Sequence, residues 1–163
     1  MLITNNLNLP QPLVAAVAND PYDDAGSDIS VTRLIAPPRQ VALMKGHGGN
    51  VTQDVADMIY AVLGQAVHVI LERIADHPTI LGKEERLFTD VRVGNQHDWA
   101  VSGQIDLAFV EGDEAILADW KVMSVWEGMN GIKDDKIAQL NLLAYLWRVN
   151  GWSDLDRLEI LAI

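Results

Sequence analysis

The sequence predicts an α/β (α+β) fold, a mixed central sheet of about four strands flanked by helices in the order α-β-β-β-α-β. Three observations carry this expectation. Apolar residues recur every three or four positions through Val55, Met58, Ile59, Val62, Leu63, Ala66, Val67, Ile70, Leu71 and Ile74, the period of an amphipathic helix. Three segments rich in β-branched and aromatic residues follow: Glu85–Val93, Trp99–Val110 and Ala115–Val122. A second helical stretch, Ile137–Asn150, then leads into a last apolar strand, Arg157–Ile163. Helices laid on a sheet give each element a partner for its apolar face.

Residues 1–29 read as an irregular N-terminal arm, punctuated by Pro10, Pro12, Pro21 and Gly26, with a helical turn at Leu13–Ala18. Residues 30–163 read as the domain proper. Ser30 suits the N-cap of a turn through Leu34. Pro38 suits the first position of a helix through Lys45, and Gly46, Gly48 and Gly49 a loop. Thr52 or Asp54 caps the long helix, expected to reach Ala75 before Pro78 stops it. Asn95 and Glu111-Gly112-Asp113 mark tight turns, so the three strands form an antiparallel meander. Asp134 or Asp135 opens the second helix and Gly151 ends it. Gly64, in the middle of the long helix, costs about 1 kcal/mol relative to alanine. Close packing against the sheet is the expected reason.

The chain has 163 residues, the size of one domain, and 49% hydrophobic and 21% charged residues, which excludes wholesale disorder. It has no cysteine, so a disulfide framework, a thiolate zinc site, an iron–sulfur cluster and a catalytic thiol are all excluded. Twelve Lys plus Arg against 23 Asp plus Glu give a net charge of −11. That argues against a simple basic phosphate-binding module, but not against carboxylates that hold cations. No apolar run is long enough for a membrane helix, and Met1–Pro12 lacks a secretory signal pattern. The expected location is cytoplasmic.

Three clusters carry candidate chemistry. Gly103-Gln104-Ile105-Asp106-Leu107 places an aspartate inside an apolar strand. In Ile116-Leu117-Ala118-Asp119-Trp120-Lys121-Val122, Asp119 and Lys121 share one face of a strand. Across a tight turn, Asp106 would meet them from the neighbouring strand. Two acids and a lysine on one buried face are costly without partners, and a divalent cation removes that cost for the acids. On the long helix His68 and Glu72 are four apart, hence on one face.

Together, in this order, these pieces resemble the PD-(D/E)XK nuclease superfamily, its RecB-like branch in particular. The helix carries Gly64, His68 and Glu72, one strand Gly103-x-Ile105-Asp106, the next Asp119-x-Lys121, and a later helix Gln139 and Tyr145. The segments Leu9-Pro10-x-Pro12-Leu13-Val14 and Ser30-Val31-Thr32-x-Leu34-Ile35 look like those of phage and prophage members. The resemblance implies a restriction-endonuclease-like core and a Mg²⁺- or Mn²⁺-dependent deoxyribonuclease. An exonuclease acting in DNA processing or recombination is favoured, in the cytoplasm of a bacterial host if phage-encoded.

It implies His68, Asp106 and Asp119 as metal ligands, with the Trp120 carbonyl beside them and Glu85 as a further acid. Glu84 competes with Glu85, the choice depending on strand register. Lys121 would orient the attacking water, and Gln139 would lie beside the site. Tyr145 and Lys136 would touch substrate. The family's tyrosine four residues after the glutamine is Leu143 here, with Tyr145 two further on. Arg33, Arg39, Lys45, Lys83, Arg86, Lys133, Lys136 and Arg148 are candidate phosphate contacts, and Trp120, Trp126, Trp147 and Trp152 candidate stacking residues. The expected partner is DNA, together with a partner protein or a second copy that adds grip. The competing expectation is a nuclease-fold binding module that has lost catalysis.

Overall fold

The computed structural model describes residues 2–19, 26–74, 77–94 and 97–163. The expected tight turn at Asn95 and the expected helix end at Ala75 lie outside them. The fold is mixed α+β, as expected, with helices and mixed sheets.

The first residues are more ordered than their composition implies. A strand β1 (Leu2–Thr4) pairs in parallel with β3 (Thr52–Asp54), and helix α1 (Gln11–Ala18) packs against α4 (Val55–Leu71). Asp54 joins these pieces. Its Oδ1 accepts the Ala56 N–H at 3.0 Å as the α4 N-cap, while Oδ2 accepts the Thr4 hydroxyl and the Asn6 N–H, each at 2.9 Å. Helix α4 ends at Leu71 because its last turn tightens. Arg73 and Ile74 donate to the carbonyls of Ile70 and Leu71, three residues back.

Between α1 and β3 lie β2 (Ile29–Ser30), α2 (Val31–Ile35) and α3 (Pro38–His47). Ser30 caps α2 as expected, its hydroxyl accepting the Arg33 N–H. The expected glycine loop is in fact the end of α3 followed by a 3₁₀ turn over Gly48–Asn50.

The strand expected over Trp99–Val110 is two strands, β6 (His97–Gln104) and β7 (Leu107–Glu111). The strand expected over Glu85–Val93 is β5 (Arg86–Val93), and an unforeseen β4 (Ile80–Lys83) precedes it. Strand β8 (Glu114–Lys121) returns antiparallel to β7 through a two-residue turn, where Gly112 has φ +62°. Helices α5 (Val125–Met129) and α6 (Asp134–Val149) follow, and β9 (Arg157–Ala162) closes the order parallel to β8. Strands β2-β6-β5 form one sheet and β4-β7-β8-β9 another.

The two sheets are halves of one bent ladder. The Glu84 N–H donates to the Asp106 carbonyl at 3.0 Å and the Ile105 N–H to the Glu85 carbonyl at 2.9 Å, joining the two pairings in one continuous register. Side-chain alternation slips at that rung. Ile105 and Ala108, three apart, both join the core under α6, where regular alternation would send them to opposite faces. On the facing strand, Gly82 and Glu85 show the same spacing. A Gly82 Cβ would lie 3.1 Å from Trp147 and 3.5 Å from the Glu85 Cγ. Glu84, at the slip, has φ +49°.

The core packs Leu140, Leu143, Leu146 and Trp147 of α6 against Val31, Leu87, Val101, Ile105, Ala108 and Leu117. Gly103 lets α6 approach β6, since a Cβ there would meet Leu143 at 2.6 Å and both Leu146 and Val31 at 2.9 Å. Gly103→Ala is therefore expected to destabilise the protein by about 1–3 kcal/mol through overpacking. An unchanged urea midpoint would contradict this. Gly64 is different. A Cβ there would meet nothing within 4 Å, so close packing on the sheet does not explain it.

Candidate metal centre

The break in the ladder builds the site. Register continued from Leu107↔Ala118 would set Asp106 opposite Asp119, but the chain leaves β8 there. The Asp106 carboxylate takes the place of a ladder carbonyl, its Oδ2 accepting the Trp120 N–H at 2.7 Å. Its Oδ1 lies 3.7 Å from His68 Nδ1, brought in by α4. Glu84 arrives from the same rung, its Oε1 in a long 3.4 Å hydrogen bond with His68 Nδ1. One ligand atom each from His68, Glu84 and Asp106 lies within 4.8 Å of the others.

Further groups hold this cluster in place. Gln104 donates from Nε2 to Glu84 Oε2 at 2.7 Å, and its Oε1 accepts from Arg86 Nη2 at 2.9 Å. Asp119 is 3% exposed. Its Oδ1 accepts from Lys121 Nζ at 2.9 Å. Its Oδ2 lies 2.7 Å from the same ammonium, off the hydrogen-bonding direction, and is buried without a donor.

Burial pushes the Asp106 carboxyl up to about 6, and the neighbouring charge of Asp119 pushes the same way. His68, the Trp120 N–H and Lys121 oppose the rise. The His68 imidazole is raised above its ordinary range by its hydrogen bond to Glu84, against partial burial and with help from the Asp106 and Glu84 charges. The cluster is short of positive charge. Two carboxylates and an imidazole are a donor set that fits a hard or borderline divalent ion. A void of about 10 Å³ lies beside the cluster, lined by Glu84 and Asp106 together with Leu71, Glu72, Lys83 and Trp120, and His68 is not part of its lining.

Protons compete with a cation for the same atoms. Affinity for Mn²⁺ is thus expected to fall as pH drops through about 6, about tenfold per pH unit for each proton displaced from Asp106 or His68. Calorimetric titration between pH 5 and 8 measures it. A flat profile would remove these two groups from the ligand set.

The expected residues divide. His68 and Asp106 come together, and Asp119 pairs with Lys121 on one side of β8 beside them. Glu84 takes the place expected of Glu85, which lies beyond the slip, exposed, near Gly82. Trp120 contacts the cluster through its N–H. Gln139, half-buried on α6, makes no hydrogen bond to the cluster among the described residues. Tyr145 lines a separate groove of about 280 Å³ with Arg148, Ser153 and Leu158. Lys136, expected to touch substrate, is paired with Glu127, as is Lys133. Of the tryptophans, Trp147 is wholly buried with Trp152 stacked on it, and Trp126 is 75% exposed. The role of Gln104 went unread, although it stands two residues before Asp106. Only the position of Glu84 across the ladder reveals it.

No known family model matches this chain, and no curated protein matches it. Among solved structures, its fold is similar to that of SSO0001. That likeness has a TM-score of 0.66 at 17% identity and covers 93% of this chain and 69% of the other. It speaks for the fold alone. No helix among the described residues is long and apolar enough to cross a membrane.

Proposed function

We propose that this chain is a metal-dependent deoxyribonuclease that hydrolyses phosphodiester bonds, acting as an exonuclease of the RecB-like kind in DNA processing. The observation that carries the reading is the convergence of His68, Glu84 and Asp106 beside the Asp119–Lys121 pair. Two oxygen ligands suit Mg²⁺, and the imidazole tilts the preference toward Mn²⁺. A bound ion would neutralise charge on the scissile phosphate and lower the pKa of a water.

The chain's own groups do the positioning. The Trp120 N–H fixes Asp106, and Gln104 fixes Glu84. Asp119 anchors the Lys121 ammonium, which is 23% exposed and presents its charge to a phosphate oxygen or an attacking water. The ion pair with Asp119 holds Lys121 as a positive charge, so its role here is electrostatic.

The test is cleavage of end-labelled linear and covalently closed DNA in Mg²⁺, Mn²⁺ or EDTA. Linear DNA is expected to shorten only with metal, and Lys121→Ala to slow this about 100-fold or more while still binding Mn²⁺. Loss of closed circles would turn the reading to an endonuclease. No cleavage of any substrate with any metal would reject the enzyme in favour of a binding module.

A further inference from the structure

Helix α4 carries an unexplained glycine on the way to the metal centre. Gly64 stands four residues, about one turn, before His68, and Tyr60 four before Gly64, so the three form a line about 12 Å long on one side of the helix. No positive φ is required at Gly64, and the space beside it is open. Glycine in mid-helix weakens the helix, and no contact among the described residues repays that. Tyr60, an aromatic ring at the outer end of the line, is 73% exposed. The inner end is His68, against Glu84 and Asp106.

We infer that this line is the path by which a single nucleic-acid strand reaches the metal centre, Gly64 admitting the strand's backbone against the helix and Tyr60 stacking on a base. The inference rests on the nuclease reading. Bare backbone permits close approach by a polymer, and an aromatic face takes any base, as sequence-tolerant strand binders require. Stacking supplies affinity that a net charge of −11 does not.

Anisotropy of a fluorescein-labelled 20-nucleotide single strand, with Ca²⁺ in place of Mg²⁺, tests it in wild type, Gly64→Ala, Gly64→Leu, Tyr60→Phe and Tyr60→Ala. Gly64→Ala is expected to raise Tm by about 2–4 °C. Gly64→Leu is expected to weaken strand binding at least tenfold with Mn²⁺ affinity unchanged. Tyr60→Ala should weaken it similarly and Tyr60→Phe should not. Should Gly64→Leu fail to fold, the exposed Tyr60 pair decides alone.

Wild-type binding that neither Gly64→Leu nor Tyr60→Ala weakens would overturn the path and leave the nuclease reading intact. Failure of wild type to bind Mn²⁺ would overturn that reading instead. Variants that shift the oligomeric state in light scattering, with strand binding unaltered, would assign the face to a second copy of the chain and overturn the inference.

Discussion

Asp106→Asn is expected to abolish divalent-ion binding and cleavage while making the metal-free protein more stable at neutral pH. The carboxylate is the group that a cation would neutralise, and it is also the one that the metal-free fold tolerates least. Burial and Asp119 lift it to about 6 from the ordinary aspartate range near 4. A lift of that size corresponds to about 3 kcal/mol between its protonated and ionised forms.

The sign follows from proton uptake. Between about pH 4 and 6 the folded state holds a proton that the unfolded state has released, so stability is highest below that window and falls as pH rises through it. Asparagine keeps an oxygen for the Trp120 N–H and carries no charge. The variant should gain about 1–3 kcal/mol at pH 7 and nothing at pH 4, with the wild-type slope between them flattened. Urea unfolding at the two pH values without metal measures it, alongside Mn²⁺ titration at pH 7. A variant less stable than wild type at pH 7 would show that Asp106 is a structural acceptor and not a strained ligand.

Trp147→Ala should remove about 3–5 kcal/mol of stability, a large share of the 5–15 kcal/mol typical of a domain. The ring is fully buried, stacks on Trp152 at 4.5 Å between centroids, and fills the space that Gly82 leaves open. Its Nε1 donates to the Ser153 carbonyl at 2.8 Å, pinning the turn before β9 onto α6. Trp147→Phe should recover part of the loss, since it keeps an apolar ring and gives up the N–H. A loss below about 1 kcal/mol in circular-dichroism-monitored urea unfolding would show that α6 does not depend on this anchor.

Periodicity made the long elements legible. The apolar spacing of α4 and α6 and the β-branched runs of β5, β6, β8 and β9 point to a sheet with helices laid against it. His68, Asp106, Asp119 and Lys121 could be selected because the pieces stand in an order that resembles a known pattern, although each piece alone, such as acid–x–lysine on a strand, is common. The choice between Glu84 and Glu85 was not legible, because alternation assumes an unbroken strand and this one slips at the residue in question. The same slip hid β4 and fused β6 with β7. Short pieces such as β1 and β3 hold by pairing with each other, a partnership of residues about 50 apart that no local pattern announces. Lys136 looked available for a phosphate until the turn after α5 brought Glu127 to it.

The shared slip of the two strands also governs how the chain tolerates insertions and deletions. Gly82 and Glu85 on one strand, and Ile105 and Ala108 on the other, reach the same side only because one residue is supernumerary between them. Removing one residue from the second strand alone would break its pairing with the first, which sets Gly82 opposite Ala108 and Arg86 opposite Gln104. Glu84 and Asp106 therefore belong to the register of the sheet as well as to the ligand set. The residue count from Gly82 to Glu85 and from Ile105 to Ala108 is fixed by folding itself, whereas the Gly112-Asp113 turn, exposed at the far end of the same strands, can lengthen without moving the site.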